Sequence, residues 1–307
     1  MKRKILQSVT RALVPAIRGR IPPSKDVAIL VPLSTRAELT EEEMISMRQL
    51  QHYLGSYDKF LIAPEGLEFD FEGFQIKRFA KKFFGSAAAH GKLLGYPGFY
   101  REFYDYKFIF FYHLDSLVFS NQLKEWCETE LDYIGPPWIN CSDSPWVETP
   151  RVGNGGFTLL RVESALKVFR SRYRQEPVAF WLDVFTRNAP RWSIGLLEKL
   201  HQGIPKSKVL KRLLTEWHEI EDPAPNNRNN DIFWSDKAVR YLPEFRVASL
   251  EDGLRFAFEV APRTCLEMNG GKMPFGCHAW SRYDRKFWEP HLVSNISIPD
   301  VRVGAHC

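Results

Sequence analysis

Lys107-Phe-Ile-Phe-Phe-Tyr-His-Leu-Asp115 is the stretch that decides the fold. It is apolar from Phe108 to Tyr112 and closes on a polar His-Leu-Asp. An unbroken apolar run of this length predicts a strand buried on both faces, as in a parallel sheet covered by helices. Val27-Ala-Ile-Leu-Val-Pro-Leu33 is a second such run, closed by proline. Between the two, Lys59-Phe-Leu-Ile-Ala-Pro64 and Phe74 to Phe79 read as further strands. Thr40 with Glu43 three residues on matches a capping box, which opens a helix running to about Leu54. Strand, helix, strand at this spacing is a βαβ unit with a right-handed crossover. The expected fold class is α/β, with a mixed, mostly parallel central sheet flanked by helices.

Beyond this core the signals shorten. Residues 86–104 permit helix but are interrupted by Gly95, Pro97 and Gly98. Leu131 to Ile134 and Phe157 to Leu160 are short strand candidates, and Glu163 to Arg172 a helix. Residues 222–231 are almost all turn formers, and a helix is expected from about Asp231. Phe245 to Ala248 reads as a strand and Leu250 to Phe256 as a short helix. No repeat and no linker divides the chain. The expected organisation is a basic arm (1–25), one catalytic-sized domain (26–290) and a tail (291–307).

The composition narrows the function classes. The chain has 307 residues and a formal net charge of +5. Residues 1–25 hold seven basic residues and no acid, so the remainder carries 35 basic and 37 acidic residues. A body of net −2 excludes a broad nucleic-acid surface, which needs clustered Lys and Arg. Five cysteines, none in a CxxC pair, read as free thiols in a reducing compartment. No apolar run reaches 18 residues, so no transmembrane helix is expected. In the arm, Ile5, Val9, Ala12, Leu13 and Ala16 share one helical face and Lys4, Arg11 and Arg18 the other. That face suits an anionic membrane surface, or packing on the body. The expected location is cytoplasmic, peripheral on the inner face of the membrane.

Four clusters carry chemistry. His113 and Asp115 close the strongest strand, where open α/β sheets bind ligands. Alternation along a strand turns both side chains the same way, so they could share Mn²⁺ or Mg²⁺. A turn-capping Asp beside a core histidine fits the same residues. Asn154, Gly155 and Gly156, in Val152-Gly-Asn-Gly-Gly156, allow close backbone approach to a ligand, or form a hairpin turn. Asp231, after Asn229-Asn230, is placed either as a general base or as a helix N-cap. His278 and Trp280, in Pro274-Phe-Gly-Cys-His-Ala-Trp280, offer a late metal ligand and an aromatic contact, or a plain surface loop. No GxSxG elbow and no phosphate-binding GxGxxG occurs.

In order along the chain, YDYKFIFFYHLDSLVF (104–119), DYIGPPW (132–138), VGNGGFTLLR (152–161) and PFGCHAW (274–280) resemble a bacterial glycosyltransferase-like family of polysaccharide and O-antigen gene clusters. That family is similar to GT-A, Rossmann-like glycosyltransferases. The resemblance covers roughly residues 25–285. It implies a nucleotide-sugar donor, a glycan or lipid-linked glycan acceptor and a divalent metal held by Asp115, His113 and His278. Asn154, Gly155, Gly156 and Trp280 would line donor and acceptor, and Pro32, Leu33, Ser34 and Thr35 the nucleoside. Asp231 would be the base of an inverting transfer. Two departures stand out: the family's DxD is reduced to His113-Leu-Asp115, and Asn230 replaces a Glu before the base. A catalytically silent binding module and a retaining transferase are the alternative readings.

Overall fold

The computed structural model describes residues 23–36, 38–176, 192–208, 210–211, 214 and 230–293. The central sheet has six strands in the order β3-β2-β1-β4-β9-β6. These are β1 (Lys25–Pro32), β2 (Asp58–Pro64), β3 (Gln75–Phe79), β4 (Tyr106–Tyr112), β6 (Tyr133–Ile134) and β9 (Phe157–Arg161). β3, β2, β1 and β4 are parallel, and β9 runs antiparallel to both β4 and β6. The expected mixed, mainly parallel α/β architecture is therefore what forms.

The two decisive runs lie side by side at its centre, with Val27 opposite Phe108 and Leu30 opposite Phe111. Both strands have neighbours on either edge, so their long apolar runs are buried almost throughout. Helices flank the sheet: α1 (Glu41–Leu54), α2 (Ala87–Leu94), α3 (Pro97–Arg101) and α4 (Val162–Gln175). The capping box of α1 forms as predicted, Glu43 N–H donating to Thr40 Oγ1 and Thr40 N–H to Glu43 Oε2. The break between α2 and α3 falls at Gly95 and Tyr96, before the Pro97 that opens α3.

Strands β2 and β3 lie on one side of β1 and β4 on the other, so the order reverses between β1 and β4. Open α/β sheets place their ligand crevice at such a switch, outside the carboxyl ends of the strands. Because β9 is antiparallel, its amino end meets that same edge: Tyr112 pairs with Phe157. The glycine turn before Phe157 is thereby delivered beside the end of β4.

A second, three-stranded sheet stands at this edge: β10 (Ala257–Phe258), β11 (Gly276–Cys277) and β5 (Leu117–Val118). It rests on its own apolar cluster, which includes Leu117, Phe258, Cys265, Trp280 and Trp288. α5 (Leu250–Phe256) leads directly into β10.

The structure corrects several expectations. β4 ends at Tyr112, so His113 and Asp115 lie in a turn, closed by Ser116 N–H donating to the His113 carbonyl at 2.9 Å. Strand alternation is not what aligns them. The Gly153–Gly156 turn joins no hairpin, since β8 (Arg151–Val152) pairs with β7 (Pro137–Trp138) and β9 with β4. Residues 245–248 form no strand, only one bridge from Val247 to Tyr133. Lys25, counted with the arm, is the first residue of β1. Residues 1–22, with most of the basic arm, lie outside the described residues, as do 222–229 and 294–307. The described start of the tail is packed: Gln49 accepts from Val293 N–H at 2.7 Å. Among the described residues no helix is long and apolar enough to cross a membrane. Cys127, Cys141, Cys265 and Cys277 are free thiols, as the sequence predicts.

Candidate functional site

The small sheet assembles the site. Asp115 precedes β5, Glu259 follows β10 and His278 follows β11. Phe258 pairs with Cys277 and Cys277 with Leu117, so the residues just beyond these pairs emerge together. Backbone bonds fix the arrangement: His278 N–H donates to the Phe258 carbonyl (2.9 Å) and Trp280 N–H to the Asp115 carbonyl (3.0 Å). Ala279, directly after His278, and Ala261, two residues after Glu259, hold φ of 52° and 43°. Left-handed backbone at alanine is uncommon and strained, and it turns the chain sharply away once each functional side chain has been presented.

His113, Asp115 and His278 converge, with one ligand atom from each within 4.8 Å of the others. His278 Nε2 lies 3.3 Å from Asp115 Oδ1, and its Nδ1 lies 2.9 Å from Glu259 Oε1. Asp115 is half exposed, whereas His278 and Glu259 are largely buried. His113 packs between two other imidazoles, 5.4 Å from His90 of α2 and 5.6 Å from His278. Its Nε2 is buried without a hydrogen-bond partner.

The electrostatics fit a cation site. Burial, then the neighbouring His90 and His278, push the His113 pKa down to about 3, leaving a neutral imidazole with a free lone pair. Burial would also lower His278, but the charge and hydrogen bond of Asp115, then those of Glu259, lift it to about 10. Burial would raise Asp115, yet His278 holds it well below the usual carboxylate range. In the metal-free protein a proton on His278 thus stands between two carboxylates. An orphaned imidazole nitrogen, a second imidazole and a half-exposed carboxylate form a donor set suited to Mn²⁺ and acceptable to Mg²⁺.

The glycine turn packs directly on these groups. Asn154 Oδ1 accepts from Gly156 N–H (2.8 Å), and the Gly156 carbonyl accepts from His113 N–H (2.9 Å). A Cβ on Gly156 would sit 2.1 Å from His278 Nε2, and one on Gly155 would sit 2.3 Å from Asp231 Oδ1. Glycine is required here for close approach. Asp231 lies in the first described helical turn, Asn230–Ile232, ahead of a π-helical turn, Phe233–Lys237. Its carboxylate accepts from Gly155 N–H, while burial and then the Glu259 charge raise its pKa to about 6. A carboxylate so tuned is poised to accept a proton near neutral pH.

Not every expected residue meets the cleft. Trp280 is fully buried in the second apolar cluster, so its backbone, not its ring, serves the site by holding Asp115. Leu33 is likewise core, its N–H donating to the Ile62 carbonyl. Pro32, Ser34 and Thr35 do lie at the carboxyl end of β1, with Thr35 exposed and Ser34 Oγ accepting from Arg36 N–H. Lys77 and Arg78, candidate diphosphate contacts or a solvated face, lie on the edge strand, where Lys77 pairs with Glu102. Glu259 and His90 were not anticipated. The signal for Glu259 was a lone acid inside Phe256-Ala-Phe-Glu-Val260; for His90 it was a histidine in the apolar helix of residues 87–94.

Fold and site together define a mixed α/β protein with a candidate divalent-metal centre at the switch point of its sheet. The chain belongs to the family described as Protein of unknown function (DUF5672), whose model matches residues 73–278. Among curated proteins no sequence matches it significantly. In solved structures it is similar to the glycosyltransferase GlyE of Streptococcus pneumoniae TIGR4, at 11% identity and a TM-score of 0.42, over 87% of this chain and 60% of that one. The chain thus spans less than two thirds of GlyE. It is also similar to the galactosyltransferase LgtC, solved with donor and acceptor sugar analogs, at 10% identity and a TM-score of 0.43, over 89% and 98% of the two chains.

Proposed function

We propose that this protein is a metal-assisted glycosyltransferase of the GT-A type that moves a sugar from a nucleotide-sugar donor to a glycan hydroxyl with inversion. One observation carries the reading: at the carboxyl edge of the sheet, two adjacent glycines bring a candidate base, Asp231, and a candidate metal ligand, His278, to opposite sides of a single turn. The sequence resemblance across residues 104–280 supports it.

His113, Asp115 and His278 would hold Mn²⁺ or Mg²⁺. The cation supplies charge stabilisation for the departing diphosphate. The chain's own residues do the rest. Asp231, oriented by Gly155 N–H, takes the proton as the acceptor O–H bond breaks. The acceptor oxygen bonds to the anomeric carbon, and the bond to the nucleoside diphosphate breaks on the opposite face. Ser34 and Thr35 at the exit of β1 would meet the nucleoside.

The test is transfer or donor hydrolysis with Mn²⁺ across a panel of nucleotide sugars, with parent and Asp231→Asn compared. Full activity in Asp231→Asn sinks the base assignment. Nucleotide binding without turnover favours a silent binding module, for which the lone carboxylate of His113-Leu-Asp115 is the motivating feature. A retained anomeric configuration in the product, read by NMR, would make the enzyme retaining.

The pathway proposed is cell-surface polysaccharide synthesis on a lipid-linked acceptor, with residues 1–25 resting on the anionic inner face of the cytoplasmic membrane. Deleting residues 1–22 should then weaken binding to anionic liposomes and spare nucleotide binding. Unchanged liposome binding removes the tether.

A further inference from the structure

We infer that Glu259 is a positioning residue that locks the metal ligand His278 and the glycine turn into one unit; the inference rests on the metal-site reading above. A single oxygen, Glu259 Oε1, accepts from His278 Nδ1 at 2.9 Å and from Asn154 Nδ2 at 2.7 Å. Glu259 is only 7% exposed, so water does not compete for those bonds. Its backbone is fixed too, because β10 pairs in register with β11 one residue before each partner.

The consequence is geometric. Holding Nδ1–H on a carboxylate fixes the ring plane and the tautomer, and aims Nε2 at Asp115. Through Asn154 the same oxygen reaches the turn, since Asn154 Oδ1 holds Gly156 N–H and the Gly156 carbonyl holds His113 N–H. One chain of bonds therefore runs from His278 through Glu259, Asn154 and Gly156 to His113. Two metal ligands more than 160 residues apart in sequence are held in mutual register by one acid. A Glu in this place also leaves no buried donor unpaired, whereas an apolar residue would strand two.

The experiment uses the full chain with Glu259→Gln, Glu259→Asp and Asn154→Ala. In metal-free protein, the ¹⁵N ring signals of His278, assigned by their loss in His278→Ala, should shift in Glu259→Gln and return toward the parent in Glu259→Asp. By EPR, Mn²⁺ affinity should fall about 10- to 100-fold in Glu259→Gln and in part in Asn154→Ala. The double variant should lose less than the two single losses combined, because both cut the same chain. Unmoved His278 signals overturn the inference. So does Mn²⁺ binding in Glu259→Gln equal to that of a metal-binding parent, which leaves the metal site itself standing. If the parent binds no Mn²⁺ but the ring signals shift, the metal reading fails while the positioning by Glu259 stands. Should Glu259→Gln not fold, Asn154→Ala carries the test: unchanged His278 signals there overturn the chain of bonds.

Discussion

The six-stranded and three-stranded sheets meet at Asp115 and are built on opposite terms. The large sheet is a framework of long apolar strands, and its central pair contributes mainly shape: a crevice where β1 and β4 diverge. The small sheet has strands of two residues each and little core of its own. Yet Asp115, Glu259 and His278 all flank its strands. Stability and chemistry are thus divided between the sheets, with the glycine turn as the joint. Substitutions should separate along the same line.

The largest expected effect is at the joint. Asp231→Asn should lower transfer about 10²- to 10⁴-fold, the usual worth of a positioned base, with nucleotide and Mn²⁺ binding preserved. The parent should show an acid limb at or below about pH 6, because burial and the Glu259 charge raise Asp231 to that value and a bound cation would draw it back down. The protonated acid cannot accept a proton, so the rate should fall tenfold per pH unit below the limb. A flat pH profile would detach Asp231 from the reaction.

Next comes the framework. Phe110 is fully buried and meets Phe157 edge to face at 4.8 Å. Phe110→Ala should cost about 3–5 kcal/mol in chemical denaturation, with Mn²⁺ affinity of the folded protein unchanged. Asp115→Asn should do the reverse, weakening Mn²⁺ with little loss of stability. If both variants lose both properties, the division of labour is wrong.

That division also explains what the sequence revealed. Val27–Leu33 and Lys107–Tyr112 were legible because a strand buried on both faces must be apolar throughout, and that pattern survives without tertiary knowledge. The capping box at Thr40 was legible because its two bonds are local. The two-residue strands of the small sheet carry no period, so Glu259 had no partner in view, and His113 and Asp115 were aligned for the wrong reason. Trp280 was misplaced for a related cause. An aromatic beside a histidine reads as a ligand contact until a second core, invisible in sequence, buries it. The individual site residues were mostly visible; their grouping depended on pairings between segments 140 to 160 residues apart.

The turn itself can be split. Gly156→Ala should drive a methyl group into His278 Nε2 and lower Mn²⁺ affinity about tenfold or more. Gly155→Ala should instead press on Asp231 Oδ1, slowing transfer and sparing the metal. Calorimetry with Mn²⁺ beside initial rates separates the two. Identical effects would mean that the turn moves as one body and that the base and metal sides are not distinct.

The smallest effect tests whether Asp231 is held at a cost to the fold. Its pKa rises from about 3.8 unfolded to about 6 folded, so between these values the native state binds more protons than the unfolded state. Stability then falls as pH rises through that window, and above it the ionised carboxylate is a net burden. Asp231→Asn keeps the shape and removes the charge. In EDTA it should therefore be more stable than the parent at pH 7, by on the order of 1 kcal/mol once partial solvent access is allowed for. The advantage should vanish by about pH 4, where the parent is protonated. A framework acid such as Asp132, which accepts bonds from Arg161, Ser164 and the Arg246 backbone, should behave the opposite way, its Asn variant being the less stable at pH 7. If both variants lose stability at pH 7, Asp231 is a structural acid like Asp132, and the joint belongs to the framework.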